Sequence, residues 1–146
     1  MAHVRKQIRD NAVSTLMGLT TTGARVYASR VHPNEAANLP ALCVYTINET
    51  SELIAMNENQ LRRSLDLVVE GYARAKADLD DTLDTIATEV EEALAIDPTR
   101  GGIAHKTVIT DTEVSLSDEG NQPIGVIRML FQIDYVTSSG DVENHM

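Results

Sequence analysis

Between Ser64 and Ala73 the chain alternates: Leu65, Leu67, Val69, Gly71 and Ala73 fall on one side, with Asp66 and Glu70 on the other. A period of two predicts a strand with one buried face. The period then changes. Leu79, Leu83, Ile86, Val90 and Leu94 recur at spacings of three and four, the stripe of a helix of about five turns. The remaining surface of that helix carries Asp78, Asp80, Asp81, Asp84, Glu89, Glu91 and Glu92. Asp78 and Asp81 resemble a capping box at its start. Asp97-Pro98 predicts its end, because a residue before proline avoids helical dihedrals. A strand feeding a helix with one apolar stripe is the unit around which the other segments arrange themselves.

The same reading extends along the chain. Val4, Ile8, Ala12 and Leu16 predict a helix over residues 3–18, stopped at Gly18. Arg25 to Val31 reads as a short strand closed by His32-Pro33, and the segment to Pro40 as an exposed connection. Ala41 to Ile47 is apolar on both faces, as expected of a central strand. The polar stretch Asn48 to Gln60 reads as a hairpin tip or a short edge strand. His105 to Leu116 reads as a strand with Val108, Thr110, Thr112, Val114 and Leu116 on one side. Ser117 to Pro123 is a run of turn formers. In Ile124 to Val136, Ile127, Met129, Phe131, Ile133 and Tyr135 alternate with Arg128, Gln132 and Asp134. These last two strands are expected to form an antiparallel hairpin. The order predicts an α+β fold: a single, mostly antiparallel sheet of about five strands with two helices packed on one face. Residues 1–137 form one domain in this reading, and 138–146 a flexible C-terminal tail.

Charge sharpens the picture. The chain of 146 residues carries a net charge of −10. Residues 1–73 hold seven basic and seven acidic side chains, whereas residues 74–146 hold five and fifteen. A surface built to grip phosphates requires the opposite sign. Aromatic residues make up only 3%, which argues against base-stacking platforms. Cys43 is the single cysteine, so no disulfide can close within the chain, and its apolar surroundings predict a buried thiol. No apolar run approaches the roughly 20 residues of a membrane span, and the charged start is unlike a secretion signal; a soluble protein made in a cytoplasm is expected.

Catalytic and cofactor chemistry is not legible. The four histidines, His3, His32, His105 and His145, lie at no metal-pair spacing. There is no phosphate-cradling glycine loop and no nucleophile elbow. No cofactor and no metal is expected, and an enzyme is the least favoured class. Asp80, Asp81 and Asp84 lie within one helical turn and either chelate a cation or form a solvated acidic face; the face is the simpler reading, since hard cations gather oxygens from several segments. Arg62, Arg63 and Glu119 complete the residues expected at a subunit or partner interface.

Several phrases together resemble a known family: Val4-Arg5-Lys6-Gln7-Ile8-Arg9-Asp10, Leu19-Thr20-Thr21-Thr22-Gly23-Ala24-Arg25-Val26-Tyr27, Leu39-Pro40-Ala41-Leu42-Cys43-Val44-Tyr45, Leu65-Asp66-Leu67-Val68-Val69-Glu70 and Leu79-Asp80-Asp81-Thr82-Leu83-Asp84. Their succession is similar to the tail terminator, or minor tail protein U-like, proteins of long-tailed bacteriophages and prophages. The resemblance implies a structural virion protein of the tail and neck, assembled in the host bacterial cytoplasm. It implies a homo-oligomer, a hexameric ring capping the head-proximal end of the tail tube. Its expected partners are the tail tube protein and the head–tail connector, with DNA passing through the ring without specific binding. A head–tail joining or tube-like subunit at a neighbouring joint, and a stand-alone α+β binding module, are the alternatives.

Overall fold

The computed structural model describes residues 2–28, 40–55, 60–74, 78–117, 124–138 and 140–145. The elements are α1 (Val4–Leu16), β1 (Val26–Tyr27), β2 (Ala41–Ala55), β3 (Gln60–Arg74), α2 (Leu79–Ile96), β4 (Lys106–Ser117) and β5 (Ile124–Ser138). One sheet holds all five strands in the order β1-β2-β3-β5-β4. β1 runs parallel to β2, and every other pair is antiparallel. This is the α+β architecture that the alternation and the two helical stripes predict.

The helical stripes and one sheet face make a single core. Val4, Ile8, Ala12 and Leu16 of α1, and Leu83, Ile86, Val90 and Leu94 of α2, are buried with Leu65, Leu67 and Val69 of β3 and Ile127, Met129, Phe131 and Ile133 of β5. Small residues let α2 come close. A Cβ at Gly71 would lie 2.7 Å from Ile86 Cγ2, and one at Gly125 would lie 2.7 Å from Leu79 Cδ1. Both glycines therefore act as seats for helix side chains.

The helix ends depart from the sequence expectation at one point. Asp78 is the N-cap residue of α2, but its side chain makes no capping bond, so the box with Asp81 does not form. At the other end Arg100, buried and in the left-handed region at φ 51°, turns back on the helix. Its Nη2 donates to the carbonyls of Leu94 and Asp97, placing a cation at the negative end of the helix dipole. Asp97 accepts from the backbone N–H groups of Thr99 and Gly101, tightening the same turn. In α1 the cap is His3, whose Nδ1 accepts from Arg5 N at 3.0 Å.

Two strand expectations are met in part and one needs correction. Of the strand expected over 25–31 the described residues show Val26–Tyr27; residues 29–39, which hold the rest of it and the connection to Pro40, lie outside the described residues. Of the two readings of the polar stretch after Asn48, the strand is what the described residues show: β2 continues to Ala55 and β3 begins at Gln60, with 56–59 outside the described residues. Its polarity reflects exposure beside a single neighbour, which a strand tolerates as well as a loop does. In β4 the side chains do not keep one face. A bulge between Ile109 and Asp111 shifts the register, so Val108 pairs with Gln132 whereas Val114 pairs with Ile127. An inserted residue reverses which side of the sheet every later residue faces.

Beyond Ser138 the chain turns back at Gly140 and reaches the start of α1. Val142 O accepts from Val4 N at 2.7 Å, and Glu143 O from Gln7 Nε2 at 2.8 Å.

Candidate assembly surfaces

The adjacent arginines Arg62 and Arg63 are separated by the strand's own alternation. Arg63 lies on the helix-bearing face, where its Nη1 donates to Glu49 Oε2 at 3.1 Å and its Nε to Thr137 Oγ1 at 3.0 Å. Arg5 of α1 reaches the same Glu49 oxygen at 2.7 Å, and Tyr135 donates its hydroxyl to the other. The side chains of Glu49 and Arg63 are only 7% and 11% exposed, so this is an internal network. Glu49 enters it because a second bulge, between Thr46 and Asn48, turns it to the helix-bearing face opposite Leu65. Arg63 is thus committed within its own chain. Arg62 points to the other face, is exposed, and lines an open cleft of about 320 Å³ with His105, Lys106 and Asp134.

Sequence reading missed Glu49, Arg5 and Tyr135. The available signal was Tyr135, a hydroxyl closing an otherwise apolar alternating strand, which must find a partner when buried. Burial, and then the bond to Glu49, push the Tyr135 phenol well above its ordinary range. His3, beside Arg5, is shifted the other way. Burial and the Arg5 charge lower its pKa, keeping the imidazole neutral so that Nδ1 can accept the cap bond.

On α2, Asp80, Asp81 and Asp84 are all exposed, as are Glu91 and Glu92. Glu89, on the same face, serves the fold. It accepts from Thr21 N at 2.9 Å and from the Thr21 hydroxyl, tying the 18–25 loop to the helix. Among the described residues no group of three His, Cys, Asp or Glu side chains is placed to hold a metal ion. Glu119 lies outside the described residues.

On the sheet face away from the helices Asp66, Glu70, Arg128, Gln132 and Asp134 are half-buried and alternate along β3 and β5 with apolar neighbours, of which Val68 and Tyr72 are buried. Ser64 Oγ donates to Asp134 at 2.8 Å, and Lys106 pairs with Asp134 at 3.4 Å. Cys43 is fully buried, and burial followed by the nearby Glu70 charge pushes its thiol up to about 11, so the thiolate that reacts is suppressed. The sheet edges mix polar side chains with exposed apolar ones. Val108, Val114 and Leu116 of β4 are exposed, as are Leu53 and Ile54 of β2. Among the described residues the surface therefore offers charged and apolar contact areas, with no convergence of reactive groups.

Residues 3–135 match the family model for phage minor tail protein U. The chain belongs to the phage minor tail protein U family. As a member of that family it is a structural component of a phage virion tail that assembles with other tail proteins, and the family is not a class of enzyme. No curated protein matches the chain. Among the described residues of this tail protein, no helix is long and apolar enough to cross a membrane.

Proposed function

We propose that this tail protein closes into a six-membered ring at the head-proximal end of the tail tube. There it stops tube growth and offers its other surface to the head–tail connector, while DNA passes through the ring. The match to the minor tail protein U family along residues 3–135 carries this reading. Physical features agree with it. A chain of net charge −10 repels a passing duplex and does not bind it by counterion release. The exposed acids Asp80, Asp81 and Asp84 concentrate that charge on one helix. Arg62, exposed on the opposite side of the sheet, is a candidate for a salt bridge to a partner, a role its neighbour Arg63 cannot fill.

Light scattering of the purified protein, with negative-stain images of the same sample, tests the ring. Six-fold rings of about six chain masses are expected, either for the protein alone or once it is mixed with tail tubes. A protein that stays monomeric and does not bind tube ends refutes the proposal. Reversing Asp80, Asp81 and Asp84 to Lys together is expected to impair DNA passage or ring assembly. Normal infectivity of phage carrying that triple change would remove the acidic face from the mechanism.

A further inference from the structure

Resting on the ring reading above, we propose that neighbouring copies join head to tail through their sheet edges: β4 of one copy pairs antiparallel with the Asn48–Ile54 half of β2 of the next.

Among the described residues two edges are open. There β4 is paired on one side only, by β5. The described part of β1 pairs with Leu42 and Cys43 of β2, and Asn48–Ile54 is paired among the described residues by β3 alone. An open edge presents a row of unpaired N–H and C=O groups, and proteins that stay monomeric blunt it with charge, proline or a covering segment. Here β4 is a strand of 12 residues without proline; its charges are Lys106, Asp111 and Glu113, and between them Val108 is 46% exposed. Leu53, on the β2 edge, is 48% exposed.

Strand direction selects the partner. β2, β3, β5 and β4 alternate in direction, and four is an even number. A copy generated by rotation about an axis along the strands therefore brings its β2 antiparallel to the first copy's β4. The operation repeats without conflict, which is the requirement for a heterologous interface that closes into a ring. It also keeps the helices of every copy on one side of the wall and the opposite sheet face on the other.

Charge favours this pairing over β4 with β4. Two copies of β4 related by a two-fold axis would bring Asp111 and Glu113 against their counterparts, and like charges opposed across strands are destabilising. Beside β2, Lys106 instead meets Glu52. Both are exposed, and both lie on the sheet face away from the helices, through their pairings with Asp134 and Arg62.

The test uses the full chain with Cys43→Ala, alone and on tail tubes. Lys106→Cys is combined with Thr50→Cys or Glu52→Cys to span adjacent registers, and the assembled sample is oxidised. A denaturing gel is expected to show a ladder rising from dimer to the full ring. Lys106→Glu and Glu52→Lys alone should each shift the light-scattering mass toward monomer, and the two together should restore assembly. Rings that form with no cross-link and tolerate both single reversals would overturn the edge proposal and leave the ring intact. Dimers formed by Thr112→Cys alone, the position that lies opposite itself when Asp111 and Glu113 are opposed, would mean β4 pairs with itself, which also overturns it. Failure of the parent protein to form rings or bind tube ends defeats the ring reading, and this proposal with it.

Discussion

β3 and β4 flank the same strand, β5, and both pair with it antiparallel, yet they live in different environments. Leu65, Leu67, Val68, Val69, Gly71, Tyr72 and Ala73 of β3 are buried, whereas from Lys106 to Leu116 no residue of β4 is. β3 has strands on both sides and α2 above it; among the described residues β4 has one neighbouring strand and the end of the helix layer. Apolar residues alone do not bury a strand, since β4 contributes Val108, Ile109, Val114 and Leu116. Position in the sheet does. A residue beside two strands and under a helix loses its water on every side, whereas the same residue on an edge keeps much of it. Stability should therefore be sensitive to β3 and its partners, and assembly sensitive to β4.

The largest effect is expected where β2 and β3 share the buried charge network. Glu49→Ala strands Arg63 without its carboxylate and removes the acceptor of Tyr135, and a loss of about 3 kcal/mol is expected from breaking a pair this deeply buried. A urea midpoint unchanged from the parent would show that water replaces the carboxylate at no cost. Gly71→Val follows. Its new side chain meets Ile86 Cγ2 at 2.7 Å and Ile127 Cγ2 at 3.1 Å from Cβ alone, so overpacking should cost about 2 kcal/mol. The same urea titration checks it.

Alkaline pH gives a third test, again confined to the inner strands. Cys43, Tyr72 and Tyr135 lie on β2, β3 and β5, and burial raises the pKa of all three, with Glu70 or Glu49 adding to it. A folded pKa above the unfolded one means that stability is intact below the unfolded value and falls as pH rises through it. Unfolding free energy should decline from about pH 9, the ordinary thiol value, and Cys43→Ala should shallow the first part of that decline. On β4, by contrast, Val114→Thr should change monomer stability by less than about 0.5 kcal/mol. A larger loss in denaturant would contradict the edge assignment. The smallest effect belongs to His3. Its lowered pKa contributes stability that is present above about pH 6.5 and lost on acidification, as the protonated ring can no longer accept from Arg5 N. His3→Ala should flatten that acid limb and leave the alkaline one unchanged.

Much of this molecule follows from periodicity in the chain. The stripe of Val4, Ile8, Ala12 and Leu16 and that of Leu83, Ile86, Val90 and Leu94 are the buried faces of the two helices, and the alternation in β3 and β5 is their buried sheet face. A period of two or of 3.6 survives any arrangement of neighbours because it arises from backbone geometry alone. Three things depended on the tertiary structure. The bulges near Ile47 and Thr110 reverse the facing of Glu49 and separate Val108 from Val114, and a one-residue insertion leaves no mark in composition. The fates of Arg62 and Arg63 diverge because one faces α1 and Glu49 while the other faces an open cleft. The edge position of β4 is set by which strands come to lie beside β5, a choice made by long-range pairing that no local pattern encodes.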